Sequence, residues 1–280
     1  MRTPTPRYGR LGDTVARDYA SKLRLFNALA EPELQEAIAR LRLGPGMRVL
    51  DVGCGTGETL RWLAAAVAPD GLAVGLDLSA NHLRTAHGAL SGDLALLQAD
   101  LHRVPLAAAT FDLVWSVNTV NHVTDQLAAA REMVSLLRPG GRLVLGQSSF
   151  LPDMYFAWDA RLERVTTDAV RAYYRDRYQL TEQDLTAVRS LGGLLREAGL
   201  FDVGVRTIVI ERFAPLDPRA QEWLLEAIFR GTWGDRLRPY LAATDYQELN
   251  ELCDPQHPRF ALVRPDFHFL QTFTLAIGSA

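Results

Sequence analysis

The segment Val49-Leu50-Asp51-Val52-Gly53-Cys54-Gly55-Thr56-Gly57 does most to limit what this chain can become. An apolar run of strand length breaks into a turn with glycines at alternate positions, and a helical stretch, 58–67, follows. Glycine lets the backbone turn left-handed and leaves no Cβ between it and a bound group. The start of the helix presents N–H groups without intrahelical partners. Downstream the alternation continues. Further strands are predicted at 72–77, 94–99, 111–117 and 142–147, after a first at 47–53. Further helices are predicted from Ser79, as a cap, to about Leu90, and over 125–138 ahead of Pro139-Gly140-Gly141. Short apolar runs alternating with helices of this length predict βαβ units around a parallel sheet.

The alternation stops near residue 148. Residues 149–187 are rich in aromatics and read as one or two helices lying over the sheet. Thr181-Glu182-Gln183-Asp184 has the form of a capping box for a helix to about Ala198. A sixth strand is predicted at 202–212, helices over 217–252 and a last strand at 267–277. Ahead of the first strand, a basic arm (Arg2, Arg7, Arg10, Arg17, Lys22, Arg24) leads into a helical stretch over 13–41 that Pro32 divides, with Glu31 biased away from helix. The implied organisation is one sheet domain in pieces. An N-terminal arm with lid helices covers 1–46, the first half of the sheet 47–148 and a helical lid insert 149–187. The sheet resumes over 188–212, a helical insert takes 213–262, and the final strand lies in 263–280.

Three acids mark strand ends. Asp51 leads into the glycine turn, Asp77 ends the second strand and Asp100 follows the third. Ligands of open α/β sheets bind at the carboxyl ends of strands, and an acid ending the second strand is placed to accept from a ribose diol.

Taken in order over residues 47–147, VLDVGCGTG, GLDLS, LLQADLHRVPL, FDLVWSVNTVNHV and LLRPGGRLVL resemble the class I S-adenosylmethionine-dependent methyltransferases. The resemblance implies a Rossmann-like three-layer α/β sandwich with helical lid insertions. Its seven-stranded sheet is mostly parallel, with an antiparallel last strand inserted beside the sixth. It also implies S-adenosyl-L-methionine as cofactor, S-adenosyl-L-homocysteine as product, and 47–148 as the cofactor-binding half. Carried over, Gly53, Cys54, Gly55 and Gly57 would line the methionine and ribose part of the cofactor, with Asp51 near its ammonium. Asp77 would bind the ribose hydroxyls and Leu78 would flank the adenine. Asp100 would accept from the adenine amino group, with Leu101 beside it. Asn118 would touch the methionine moiety through its backbone carbonyl, and Tyr19 would reach in from the N-terminal lid. A nicotinamide or flavin dehydrogenase carries GxGxxG, whereas the spacing here is GxGxG.

Methyl transfer from a sulfonium draws much of its rate from alignment. A base is needed only where the acceptor must lose a proton. His122, with an ordinary pKa near neutrality, is the candidate base and Asn121 a second catalytic candidate; the alternative for His122 is packing of the turn before Asp125. Tyr155, Phe156, Trp158, Trp223, Phe229 and Trp233 are candidates to line a pocket for an apolar or aromatic small molecule, the alternative being that they pack the lid's own core. His268, between Phe267 and Phe269, is expected on a partly buried sheet surface. No cluster has metal-ligand spacing, so no metal is expected.

Composition narrows the chemistry further. Of 30 basic residues only Lys22 is a lysine, so there is no P-loop, and Schiff-base chemistry would have to use a side chain set in a polar stretch with no sign of burial. Cys54 and Cys253 cannot build a disulfide framework. Without a long apolar run or a signal-peptide core, a cytoplasmic chain with no membrane partner is expected. A net charge of -3 weighs against a nucleic-acid partner. Resembling enzymes that act on exocyclic amino or planar amide groups carry NPPY or DPPY after the fourth strand; the resemblance without that sequence implies that nucleobase and glutamine N-methylation are disfavoured. The expected activity is methyl transfer to a small-molecule acceptor, by a monomer or homodimer. A nucleic-acid or protein methyltransferase stands as one alternative, and a cyclase or isomerase on the same fold as another, because fold does not fix function.

Overall fold

The computed structural model describes residues 20–89, 95–149, 155–156, 159–178 and 187–280. Strands β1 (Arg48–Val52), β2 (Leu72–Asp77), β3 (Ala95–Gln98), β4 (Phe111–Val117) and β5 (Leu137–Ser149) run parallel in the order β3-β2-β1-β4-β5. Three more follow: β6 (Tyr155–Phe156), β7 (Phe201–Phe213) and β8 (His268–Ser279). β8 lies antiparallel between β5 and β7, and β6 pairs with the start of β8 alongside β5. The seven expected strands, with the last one antiparallel and inserted beside the sixth, are therefore present. The two-residue β6 is an addition.

Helices cover both faces, and the strands show why. β1 and β4 are apolar on both sides, as strands buried between two helix layers must be: Val49, Leu50, Val52, Leu113, Val114 and Trp115 are fully buried. On one face Trp115, Val144 and Phe273 pack with α1 (Ala20–Leu29), α2 (Glu31–Arg40), α3 (Glu58–Val67) and the lid. On the other face Leu50, Val114 and Leu145 pack with residues of α5 (Gln126–Ser135) and α7 (Leu191–Glu197). α4 (Ala80–Ala89) follows β2, and Ser79 caps it, its hydroxyl oxygen accepting from the His82 N–H at 3.3 Å. The lid comprises α6 (Ala160–Tyr178), α8 (Pro218–Glu222) continuing as wide π-helical turns over Trp223–Trp233, and α9 (Ala243–Cys253). β7 is the exposed edge, with Phe201, Val205, Val209 and Phe213 facing outward.

Several boundaries differ from expectation for local reasons. The N-terminal helical stretch breaks at Ala30. Glu31 is already helical, and Pro32 sits in the first turn of α2, where its missing N–H costs nothing. The helix expected to reach Arg138 ends at Ser135, and Pro139-Gly140-Gly141 falls inside β5, whose pairing with β4 slips between Phe111 and Leu113. The capping box at 181–184, together with Leu90, lies outside the described residues. No helix among the described residues is long and apolar enough to cross a membrane.

Candidate functional site

The parallel register of β1 and β2 sets Asp51 beside Gly75 and Val52 beside Leu76, so both strands end at one edge. There the Leu76 carbonyl accepts from the N–H groups of Gly53 (2.7 Å) and Cys54 (3.0 Å), which folds the turn back over β2. Gly53 and Gly57 have φ of +75° and +89°. A Cβ on Gly53 would also overlap the Thr119 side chain, so this turn admits only glycine there. Asp77 closes the loop. Its Oδ2 accepts from the Gly55 N–H at 2.9 Å and its Oδ1 from the Ser79 N–H at 2.8 Å, with His82 Nδ1 3.4 Å from Oδ1.

Asp51 is buried beneath this loop, and its Oδ2 has no hydrogen-bond partner. Burial, and then the charges of Asp77 and Glu58, push its pKa up to about 8. Glu58 accepts from the Thr56 hydroxyl (2.6 Å) and the Asn27 amide (3.1 Å), which draws α1 over the turn. Burial raises the pKa of the Cys54 thiol as well, so it stays protonated.

At the end of β3, Asp100 accepts from the His102 N–H at 2.9 Å, which lowers its pKa and keeps it ionised. Leu101 is buried and Leu78 exposed. Beyond β4, Asn118 adopts a positive φ of 55°. Its Oδ1 accepts from the Ser148 N–H (2.8 Å) and hydroxyl (3.0 Å), tying β4 to β5. Its backbone carbonyl, expected to face the methionine moiety, takes a hydrogen bond from the His122 ring, because the short turn Val120–His122 folds that ring back. Desolvation pushes His122 down to about 4, which corrects the expectation of a near-neutral value. Asn121 is half-buried, with a buried, unpartnered Oδ1.

The aromatic candidates separate. Trp223, Phe229 and Trp233 are buried in the core shared by lid and sheet. Trp223 meets Phe26 edge-on at 5.6 Å, and Phe229 stacks on Trp233 at 5.4 Å. Tyr155 and Phe156 stand opposite Leu270 and Phe269 in the sheet. Trp158 and Tyr19 lie outside the described residues. His268 pairs with Glu211 at 2.9 Å and stacks on Phe213. Lys22, expected to show no burial, is half-buried on α1 and donates to the Thr232 hydroxyl at 3.2 Å, pinning α1 to the π-helical turns. Sequence reasoning missed Thr119, Ser148, Asn27 and Glu58, whose partners are remote in the chain, and Gln271, a fully buried amide on β8. No group of metal-ligating side chains is found among the described residues.

A profile described as a methyltransferase domain matches residues 50–145. The 27-O-demethylrifamycin SV methyltransferase of Amycolatopsis mediterranei (strain S699) is 30% identical over 226 residues, spanning 72% of this chain and 78% of that protein. The chain belongs to the class I S-adenosylmethionine-dependent methyltransferase family. S-adenosylmethionine is the cofactor of this family. A second member, the ubiquinone/menaquinone biosynthesis C-methyltransferase UbiE of Pseudomonas paraeruginosa (strain DSM 24068 / PA7), is 34% identical over 175 residues, 55% of this chain and 68% of that protein. Of three further curated relatives the chain spans 44%, 63% and 42% of the length. The fold agrees with that of a Haemonchus contortus phosphoethanolamine N-methyltransferase 2 solved with phosphomonomethylethanolamine and S-adenosylhomocysteine. There the TM-score is 0.52 at 18% identity, over 95% of this chain and 58% of that one.

Proposed function

We propose that this chain transfers the methyl group of S-adenosylmethionine to a small apolar or aromatic molecule held between the sheet edge and the helical lid. The observation that carries the reading is Asp51, a buried carboxylate with an unpartnered oxygen. Such a group is costly unless a cation or donor meets it. The cofactor's ammonium is a cation of the right kind, and the glycine turn leaves backbone beside it with no side chain in the way. When bound, the cofactor supplies an electrophilic methyl on a sulfonium whose thioether leaves readily.

The chain's own residues orient and shield. Gly53, Cys54, Gly55 and Gly57 form the cradle, and Asp51 takes the ammonium. Asp77 still has acceptor capacity for a ribose diol after its two backbone bonds. Asp100 and Leu101 border the adenine, with Leu78 on its open side. Asn118, fixed by Ser148, borders the methionine end. Alignment provides most of the rate. Desolvation keeps His122 neutral, the state a base requires. Relatives named for a rifamycin and for quinone biosynthesis agree with an acceptor of this class.

The test is conversion of methyl-labelled S-adenosylmethionine to S-adenosylhomocysteine in the presence of a panel of hydroquinones and phenolic polyketides. Labelled acceptor supports the reading. Cofactor binding without transfer to any member would place the chain among non-transferring relatives of the fold.

A further inference from the structure

We infer that Gln271 is the polar contact of the acceptor pocket and that it reads a neutral hydroxyl or carbonyl oxygen on the acceptor; the inference rests on the methyltransferase reading above. Gln271 is fully buried, and neither its amide nitrogen nor its amide oxygen has a hydrogen-bond partner. Protein interiors pair such groups almost without exception, so a buried amide with both ends open is a site awaiting a partner.

Sheet register places it. Ser148 of β5, the residue bonded to Asn118, stands opposite Phe273 of β8. Gln271 follows on the same face, about 7 Å along the strand toward the edge where β1 and β4 end. That face is the one under the lid: Phe269, Phe273 and Trp115 share a core with Leu162 and Val170 of α6 and with Trp223. Thr166 of α6, also buried, has an unpartnered hydroxyl.

The chemistry of the partner follows from charge. Among the described residues the buried acids are Asp51 and Asp77, at the glycine turn, and Asp112, which accepts from the Arg48 N–H and pairs with Arg138. The buried polar side chains under the lid, Ser148, Thr166, Thr232 and Gln271, are neutral; the cations on these elements include Lys22, which donates to the Thr232 hydroxyl, and Arg171 of α6, whose Nε is buried without a hydrogen-bond partner. An amide offers one acceptor oxygen and two N–H donors but no compensation for an ionised ligand. Gln271 itself therefore selects an uncharged oxygen on an apolar body, and the preference between neutral and ionised probes tests whether it, rather than Arg171 or Lys22, sets the choice.

The experiment compares the full chain with Gln271→Leu, using 2-naphthol and 2-naphthoate as probes in titration calorimetry, with and without S-adenosylhomocysteine. Wild type is expected to bind 2-naphthol at least about tenfold more tightly than the variant does, and more tightly than it binds 2-naphthoate. The variant is expected to keep its S-adenosylhomocysteine affinity and to melt no lower, since it loses an unpaired buried amide. Equal 2-naphthol affinity in the two proteins, no binding to either, preference for the carboxylate, or a lower melting temperature with unchanged probe affinity would each overturn the inference. Gln271→Met, unbranched like glutamine, takes the place of the leucine variant if that one does not fold. Failure of wild type to bind S-adenosylhomocysteine would count against the cofactor reading instead, and the titrations without it keep the two apart.

Discussion

The carboxylate of Asp77 accepts a hydrogen bond from the Gly55 N–H at 2.9 Å, so the last residue of β2 holds the turn that follows β1. Two of roughly four acceptor sites on this carboxylate are spent on Gly55 and Ser79. Losing the remainder means losing hydrogen bonds to a charge, worth about 1.5–3 kcal/mol each. Asp77→Ala is expected to weaken S-adenosylhomocysteine binding by about 100-fold in calorimetry and to lower the melting temperature through the loosened turn. Unchanged affinity would remove Asp77 from the cofactor site.

Gly53→Ala should destabilise the chain twice over. The left-handed backbone costs an L-residue about 1–2 kcal/mol, and the new methyl would overlap the Thr119 side chain. The double variant Gly53→Ala/Thr119→Gly should recover the steric part and leave the backbone part, a non-additivity that denaturant melts can measure. Strict additivity would mean that Thr119 moves freely out of the way.

Asp51 and His122 give stability a signed dependence on pH. Asp51 is raised from 3.8 to about 8, so between those values the folded chain keeps a proton that the unfolded chain has lost, and stability falls as pH rises through the window. His122 is lowered from 6.5 to about 4, so its contribution is lost as pH falls through that range. Above 6.5 only Asp51 of these two acts. Denaturant melts are expected to show a chain less stable at pH 8.5 than at pH 6.5, and an Asp51→Asn variant without that loss. Binding of S-adenosylhomocysteine near pH 7 should release a proton, seen as heats that change with the buffer's ionisation enthalpy.

His122→Ala separates alignment from proton removal. With an acceptor that must lose a proton, kcat should fall about 10²-fold or more, while S-adenosylhomocysteine affinity stays within a factor of about two. With an acceptor already ionised, kcat should barely change. A matching fall for both acceptors would make His122 a packing residue of the turn.

Much of the sheet was readable because parallel strands buried on both faces announce themselves as apolar runs, and the first here runs into Gly53 while the second ends at Asp77. Asp51 and the glycines that follow it are close in sequence and share a local logic, and Asp77 marks its own place by ending a strand. The pairs Gly53 with Thr119, Asn27 with Glu58, and Asn118 with Ser148 are not, and no periodicity signals a partner on another element. Gln271 was hidden for a different reason. In HFLQTFTLAI a glutamine among apolar residues reads like an ordinary strand residue, and only the lid closing over that face makes it a buried amide. Trp223, Phe229 and Trp233 show the converse limit: aromatic spacing on a helix reveals an apolar face but not whether that face meets a ligand or, as here, other rings. The desolvation of the His122 ring is equally invisible from its neighbours in the chain.

Because β8 separates β5 from β7, the sheet cannot be assembled in the order in which it is translated. β7 emerges well before residues 268–279, its strand partner among the described residues. Until they follow, β5 presents an open edge, and β7 carries Phe201, Val205, Val209 and Phe213 with no strand to pair with. Two unsatisfied edges on one nascent chain are a template for association with other chains. A nascent chain that has not yet added residues 268–279 is therefore expected to associate more readily than one in which β8 has filled the gap.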